Sequence, residues 1–389
     1  MYKFRRLHFH IFKVIQLLFK IGGIFLMKIK PKHSIFLASA LAISLLVGCG
    51  DSKSNDDIQL NDLSVKDIEE KAKKEGKVNS VGMPDAWANW KETWQEVSEK
   101  YGLKHVDTDM SSAEELAKFE AEKKNASADI GDVGIAYGPI AEDKKLTLKY
   151  KTSYWEDIPE WAKDDDGDWI VGYSGSIAFI SDKNKVSSIP KSWKELLDSN
   201  YVVTIGDALT ANQAQFGILA AAMANGGDET NIQPGIDYFA ELAKQGRLSV
   251  VDPVVATLEK GENEVAIVWD FNGLGYRAQI DESRFDVTIP SDASVVSGYA
   301  TVLNRYAKNP HAAALVREYI LSDEGQDNLA KGFARPIREN AKLSEEGSSS
   351  LLDASLYTNV APIKDYDAWS KTTASLPQVW QEQVLVHVK

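Results

Sequence analysis

The chain of 389 residues contains a single cysteine, Cys49, and therefore cannot form an internal disulfide. Residues 1–48 contain eight Lys or Arg and no acid, so the rest of the chain carries all 57 acidic residues against 36 basic ones. Such an acidic surface repels nucleic acid and anionic lipid, and no basic stripe offsets it. After Cys49 no long apolar run follows, which excludes a protein with several membrane spans.

The region before Cys49 has the layout of a secretory signal. Three lysines lie within residues 27–32, and an apolar stretch runs from about Ser34 to Val47. The sequence "LVGC" that ends at Cys49 resembles a bacterial lipobox, although a lone cysteine behind an ordinary signal remains the alternative. We therefore expect a signal peptide over residues 1–48 with its true start at Met27, lipidation of Cys49, and a flexible polar tether over residues 49–63.

The remaining sequence predicts an α/β protein with two lobes. Roughly 340 residues exceed what a single core usually supports. Strand-like and helix-like segments alternate from residue 65 on, which favours parallel sheets. Two long β-rich runs, "DWIVGYSGSIAFISDKN" and "FDVTIPSDASVVSGYATVLNR", look like crossings between lobes and imply a hinge. The expected division is residues 64–175 in lobe 1, residues 176–296 in lobe 2, and residues 297–389 returning to lobe 1 with C-terminal helices.

The order of several motifs resembles an extracellular solute-binding protein of an ABC importer. The motifs are "KKEGKVNSVGM", "ADIGDVG", "YSGSIAFISDKN", "PKSWKELLD", "VAIVWDFNG", "NPHAAALVREYILSDEGQ" and "GFARPI". The chain is most similar to the subgroup associated with iron, thiamine, polyamine and phosphonate-type ligands. This resemblance implies two Rossmann-like lobes of the type II periplasmic-binding-protein kind that close on a solute. It also implies an ABC permease and its ATPase subunit as partners, at a periplasmic or extracytoplasmic location, and we expect a lipid-anchored monomer without a cofactor.

Ligands in such lobes lie beyond the carboxyl ends of the strands, where helix N-termini converge. The segments that end strands or cross between lobes therefore supply the candidate ligand-binding residues. In lobe 1 these are Met83, Asp85, Trp87, Ser111, Ser112, Asp132 and Tyr137. The crossing supplies Ser174, Gly175 and Ser176, and lobe 2 supplies Thr210, Ala211, Asn212, Trp269, Asp270 and Asn272.

Each of these residues also has a plain structural explanation. Ser111 with Glu114, and Ser112 with Glu115, fit capping boxes, and Thr210 fits an ordinary helix start. Trp90 and Trp94 share a helical face and look like core residues, whereas Trp87 follows a proline and is the better candidate for stacking on a ligand. Asp270 should stand with Trp269 at the cleft rim. Together with Asp85, Asp109 and Asp132 it would select an amine or another cation, although most acids are simply solvated.

Other functions are less consistent with the sequence. Ferric iron is only the second candidate for the ligand. The sequence lacks an adjacent pair of tyrosines that could bind iron, and few histidines remain after residue 48. The acidic run from Asp164 to Asp168 does not fit an EF-hand frame. "GYSGS" lacks the final glycine of a serine-hydrolase elbow, and no P-loop is present, so an enzyme is not expected. The sequence thus predicts a carrier for a small polar solute bearing an amine, a phosphate or a phosphonate, with a sensor for a receptor kinase as an alternative.

Overall fold

A computed structural model of the protein describes Asn55, residues 58–85 and residues 87–388. The expected signal peptide, the start at Met27 and the lipidation site Cys49 lie outside the described residues. Part of the expected tether is held against the fold, since Leu60 is buried in an apolar core and the backbone N–H of Asn55 donates to the carbonyl of Arg305 at 3.1 Å. Among the described residues, no helix combines the length and the apolar character needed to cross a bilayer.

Strands and helices alternate through the first half of the fold, which we call lobe 1. Helix α1 (Val65–Glu75) begins at a capping box of Ser64 with Asp67 and ends at Gly76, whose φ of 70° suits a glycine. Strand β1 (Lys77–Val81) pairs in parallel with both β2 (Lys104–Thr108) and β3 (Ile130–Gly134), as the alternation predicts. The elements are α1 Val65–Glu75, β1 Lys77–Val81, α2 Trp90–Tyr101, β2 Lys104–Thr108, α3 Ser112–Glu122, β3 Ile130–Gly134 and α4 Tyr137–Asp143.

A long strand, β4 (Trp169–Asp182), then carries the chain into a second half, lobe 2. Every residue of β4 is buried, in keeping with its uninterrupted run of apolar and small residues. Lobe 2 contains α5 Trp193–Asp198, β5 Val203–Thr204, α6 Asn212–Ala224, α7 Gln233–Lys244, β6 Leu248–Ser249, α8 Val255–Glu259, β7 Val265–Trp269, α9 Asp270–Ile280 and β8 Phe285–Thr288. Strand β5 pairs in parallel with β6 and β7.

Strand β9 (Ser294–Leu303) brings the chain back to lobe 1. It lies between β3 and β4, antiparallel to both. The partner of β4 changes along its length: residues up to Ser176 pair with β9, and residues from Ile177 on pair with β7. The elements that follow are α10 Pro310–Ile320, α11 Asp323–Lys331, β10 Arg335–Pro336, α12 Glu345–Ser350, β11 Val360–Pro362 and α13 Tyr366–Gln383.

Each lobe has its own apolar cores. In lobe 1, Trp90 and Trp94 are buried with their rings 6.0 Å apart, as their helical spacing predicts. The return segment adds α10 and α11 to lobe 1, but α13 packs on lobe 2, where Trp380 lies 5.6 Å from Phe239 between ring centroids. The C-terminal helix therefore completes the core of lobe 2.

A buried arginine ties the return segment to lobe 1. The guanidinium of Arg317, on α10, donates to the carbonyl oxygens of Thr301 at 2.7 Å, Gly167 at 2.8 Å and Tyr150 at 3.1 Å. Burial lowers the pKa of Arg317 to about 10, so the group stays charged at neutral pH. Because it satisfies carbonyls from three separate segments, its removal would leave several buried acceptors unpaired.

Replacing this arginine by methionine, Arg317→Met, should lower the free energy of unfolding by about 3–5 kcal/mol, since buried acceptors lose a charged donor. Urea unfolding followed by circular dichroism measures the loss. The control variant Lys308→Met changes an exposed residue between β9 and α10, and its free energy of unfolding should stay within about 0.5 kcal/mol of the parent value. A loss below about 1 kcal/mol in Arg317→Met would contradict the bridging role.

Candidate functional site

Two segments of lobe 1 meet in a strained backbone contact beside lobe 2. Ala88 and Asn89 have φ angles of 47° and 58°, and Phe333 has a φ of 68°. Residues other than glycine rarely adopt these values, and such strain gathers at functional sites. Gly332 makes the contact possible, because a Cβ added there would lie 2.5 Å from the carbonyl carbon of Ala88. The turn at Ala88 and Asn89 is therefore packed directly against the backbone of Gly332.

Trp87, the residue before this turn, touches both lobes. Its indole N–H donates to the hydroxyl of Tyr173 on β4 at 2.7 Å. Its ring packs edge-on against Phe271 of lobe 2, with centroids 5.2 Å apart, and against Tyr299 of β9 at 5.7 Å. Gly175 leaves room for Phe271, because a Cβ at this glycine would lie 2.3 Å from the Phe271 ring. Trp87 thus joins lobe 1, lobe 2 and both crossing strands.

A cavity of about 520 Å³ opens beside these rings. One wall comes from the loop after β1 and the start of α2, and the opposite wall comes from α9 of lobe 2. Its lining residues are Asp85, Trp87, Ala88, Asn89, Glu92, Phe271, Asn272, Gly275, Tyr276, Gln279, Lys331, Gly332, Phe333 and Glu346. The size suits a small organic molecule, since ligand cavities commonly span roughly 300–1,000 Å³.

Three of the candidate residues line this cavity, namely Asp85, Trp87 and Asn272. The sequence reasoning missed the contribution of α9 beyond its first turn and the whole segment from Lys331 to Phe333. The segment "GFARPI" carries Gly332 and Phe333, but nothing in one sequence indicates that this glycine lies against Ala88. Tyr276 and Gln279 follow Asn272 at helical spacing, and this spacing was the signal that could have identified them.

A chain of hydrogen bonds leads from Trp87 to buried acids in lobe 1. The Tyr173 hydroxyl donates to Asp132 Oδ2 at 2.7 Å, while Asp132 Oδ1 is buried without a hydrogen-bond partner among the described residues. Burial raises the pKa of Asp132 to about 8. Burial, reinforced by the neighbouring Asp132, raises the pKa of Glu115 to about 10. The two acids therefore favour their neutral forms at neutral pH.

Trp269 and Asp270 are buried instead of standing at the cleft rim, so this expectation is wrong. Both oxygens of Asp270 are engaged: Oδ1 accepts the backbone N–H of Ser176 at 3.0 Å and of Phe271 at 2.9 Å, and Oδ2 accepts the Tyr357 hydroxyl at 2.6 Å. Burial raises the pKa of Asp270. The carboxylate fastens the start of α9 to the crossing strand.

The serines at the start of α3 are bound within lobe 1. Ser111 Oγ donates to Glu114 Oε2 at 2.7 Å, which is one expected capping box. The second box is absent, because Glu115 accepts the backbone N–H of Asp132 at 3.1 Å, while Ser112 Oγ accepts the N–H of Gly134 at 3.0 Å. Ser111 thus caps α3, and Ser112 ties the start of α3 to the end of β3.

The remaining candidates lie outside the cavity lining. Thr210 Oγ1 donates to Asp207 Oδ2 at 2.8 Å. In the first turn of α6, Gln213 Oε1 accepts a hydrogen bond from the side-chain amide of Asn272 at 2.9 Å. The other candidates are distributed along the structure as follows: Met83 is buried after β1, Tyr137 begins α4, Ser174, Gly175 and Ser176 lie in β4, and Ala211 and Asn212 precede and begin α6. Their roles as ligand contacts stay predictions.

The raised pKa of Asp132 predicts a pH-dependent stability. The folded form holds its proton up to about pH 8, whereas the unfolded form loses it near pH 4. The free energy of unfolding should therefore fall as pH rises from 5 to 8, and Asp132→Asn should reduce that fall by about 4 kcal/mol, since each pH unit contributes about 1.4 kcal/mol. Urea unfolding at pH 5 and pH 9 measures how the free energy of unfolding depends on pH in the parent protein and in the variant. Asp143→Asn, at an exposed site on α4, serves as the control, and an unchanged slope in Asp132→Asn would contradict the assignment.

Solved structures of bacterial binding proteins share this fold. AfuA from Actinobacillus pleuropneumoniae, solved with fructose-6-phosphate, matches with a TM-score of 0.63 and 19% identity over 80% of this chain and 99% of its own. PotD from Streptococcus pneumoniae, a spermidine/putrescine ABC transporter substrate-binding protein, matches with a TM-score of 0.64, 15% identity and the same coverage. The ferric binding protein from Campylobacter jejuni matches with a TM-score of 0.62 and 18% identity over 78% of this chain and 98% of its own. Identities this low establish the α/β fold with two lobes and not the ligand.

Sequence comparison identifies the family. A sulfate-binding protein from Salmonella typhimurium is 23% identical over 176 residues, which are 42% of this chain and about half (52%) of that relative. Residues 128–352 match the profile of the family described as bacterial extracellular solute-binding protein. This match covers more than half of the chain and confirms the resemblance found in the order of its motifs. The protein therefore belongs to the family of bacterial extracellular solute-binding proteins.

Proposed function

We propose that the protein captures a small polar organic solute in the cavity between its lobes and delivers it to an ABC permease with an ATPase subunit. The observation that supports this most directly is the cavity itself, which has walls from lobe 1 and lobe 2 and a tryptophan that contacts both. Membership of a family of solute-binding proteins, which are not enzymes, agrees with this role. A lipid anchor on Cys49 and action as a monomer outside the cytoplasm are part of the same proposal.

Binding would act by shifting the population of a closed form. A ligand favours closure only if it binds the closed form better than the open one, which requires contacts on both walls. Trp87 and Asn89 offer such contacts from lobe 1, and Phe271, Asn272 and Tyr276 offer them from lobe 2. The crossing strands β4 and β9 are then the segments that bend as the lobes approach.

Ferric iron is less consistent with this cavity. Tyr276 is the only phenol among its lining residues, and no histidine lies there. His105 is stacked on Trp94 at 3.5 Å, and burial lowers its pKa to about 4. Within the described residues, the one cluster of acids with metal-binding geometry consists of Glu142, Asp164 and Asp168, none of which lines the cavity. An organic solute fits the aromatic walls better.

Ligand binding should raise the melting temperature and change tryptophan fluorescence, because a ligand bound only by the folded form stabilises it. A panel of polyamines, thiamine derivatives, phosphonates, sugar phosphates and ferric salts provides the candidates, and native mass spectrometry of the purified protein identifies any ligand that copurifies. Trp87→Ala should weaken binding by at least about tenfold, which corresponds to about 1.4 kcal/mol, since it removes a ring shared by both walls.

Trp155→Ala, at a half-buried position of lobe 1 outside the cavity lining, is the matched control and should bind like the parent protein. Unchanged affinity in Trp87→Ala would place the solute elsewhere. A melting curve unmoved by the whole panel, with no ligand found by mass spectrometry, would count against a binding function.

A further inference from the structure

The charges around the cavity indicate the chemical class of its ligand. Four ionisable side chains other than tyrosine line it: the carboxylates of Asp85, Glu92 and Glu346, and the ammonium of Lys331. Lys331 is already paired, at 3.3 Å from Glu92 and at 3.4 Å from Asp327, which lies outside the lining. Its positive charge is therefore neutralised within lobe 1.

Two of the three carboxylates remain for a ligand. Glu92 is also satisfied by Asn89, whose side-chain amide donates to it at 2.7 Å. By contrast, the side chains of Asp85 and Glu346 make no hydrogen bond or ion pair within the described part of the chain. They belong to different segments, the loop after β1 and helix α12, and both line the same cavity. A solute entering the cavity meets two carboxylates without a cationic partner.

The helix ends at the cavity favour the same sign of charge. Helix α11 ends at Lys331, and the lining residues Gly332 and Phe333 follow directly, so the negative end of its dipole faces the site. Helix α9 begins at the opposite wall, and its positive end would attract an anion. However, Asp270 already occupies that end, where its carboxylate accepts the backbone N–H of Phe271 at 2.9 Å. The positive end of α9 is thus neutralised, whereas the negative end of α11 carries Lys331, whose charge is already paired with Glu92 and Asp327.

The aromatic rings that line the cavity also favour a cation. Trp87, Phe271, Tyr276 and Phe333 all line the cavity. Ring faces attract ammonium groups by roughly 0.5–2 kcal/mol each, most strongly for tryptophan. The same rings offer nothing comparable to a phosphate or a sulfate, which would also be repelled by the two unpaired carboxylates.

From this arrangement we propose that the solute is an organic cation bearing at least one ammonium group, bound between Asp85 and Glu346 and against the rings of Trp87 and Phe271. This assignment rests on the proposed function and narrows it to one of its ligand classes. It sets the protein apart from the relative named as a sulfate-binding protein, because two carboxylates without a cationic partner would repel an anion.

Isothermal titration calorimetry with 1,4-diaminobutane, spermidine and choline, set against phosphate, sulfate and fructose-6-phosphate, tests the assignment. We expect at least one cation to bind and all three anions to fail. The double variant Asp85→Asn/Glu346→Gln should bind that cation at least tenfold more weakly, while retaining the melting temperature of the parent protein without ligand. Glu345→Gln, which changes the neighbouring exposed acid on α12 outside the cavity lining, should retain the parent affinity.

The outcomes separate this assignment from the proposed function. Binding of an anion that is weakened by Trp87→Ala would overturn the cation assignment and leave the solute-binding role in place. Equal binding of a cation by the parent and the double variant would also overturn it, because the carboxylates would then have no part in recognition. Failure of every cation and anion, together with no copurified ligand, would overturn both proposals.

Discussion

The antiparallel pairing of β4 with β9 is the constraint on which the rest of the structure depends. Residues from Trp169 to Ser176 pair with β9, and beyond this point β4 joins β7 in the sheet of lobe 2. Each lobe therefore uses the same strand to complete its sheet. Relative movement of the lobes has to bend or twist this ladder, because its hydrogen bonds tie both crossing strands together. Gly175 lies within the ladder and admits the ring of Phe271, so the shared strand also sets how closely helix α9 approaches Trp87.

Strain and close approach position the residues at the cavity. Ala88, Asn89 and Phe333 each hold a backbone conformation that costs about 1–3 kcal/mol in a residue other than glycine. The contact of Gly332 with the Ala88–Asn89 peptide and the hydrogen bond from Trp87 to Tyr173 keep this loop in place. Side chains that are already held by such contacts lose less conformational entropy when a solute binds, which favours affinity. The neutral acids behind Tyr173 fit the same picture, since Asp132 accepts a hydrogen bond there without adding a full buried charge.

The sequence predicted the elements of the fold well and the site only in part. Strand–helix alternation from residue 65 on and a long β-rich run identified α1, β1 and the crossing strand β4, because these depend on local patterns that one sequence shows. Asp85, Trp87 and Asn272 were found because they follow strand ends. Asp270 also follows a strand end but is buried, and its carboxylate accepts hydrogen bonds from the backbone N–H of Ser176 and from the Tyr357 hydroxyl. Lys331, Phe333 and Glu346 reach the cavity through contacts between distant segments, and no local pattern in a single sequence records such contacts.

The position of helix α13 has a consequence for the order in which the protein acquires its structure. Trp369 and Trp380 lie near the C-terminus, yet they pack on Phe216 and Phe239 in the middle of the chain. Lobe 2 therefore cannot complete its apolar core from its own central segment alone. Its folding depends on the docking of α13, and contacts between residues so distant in the sequence slow the formation of a native structure.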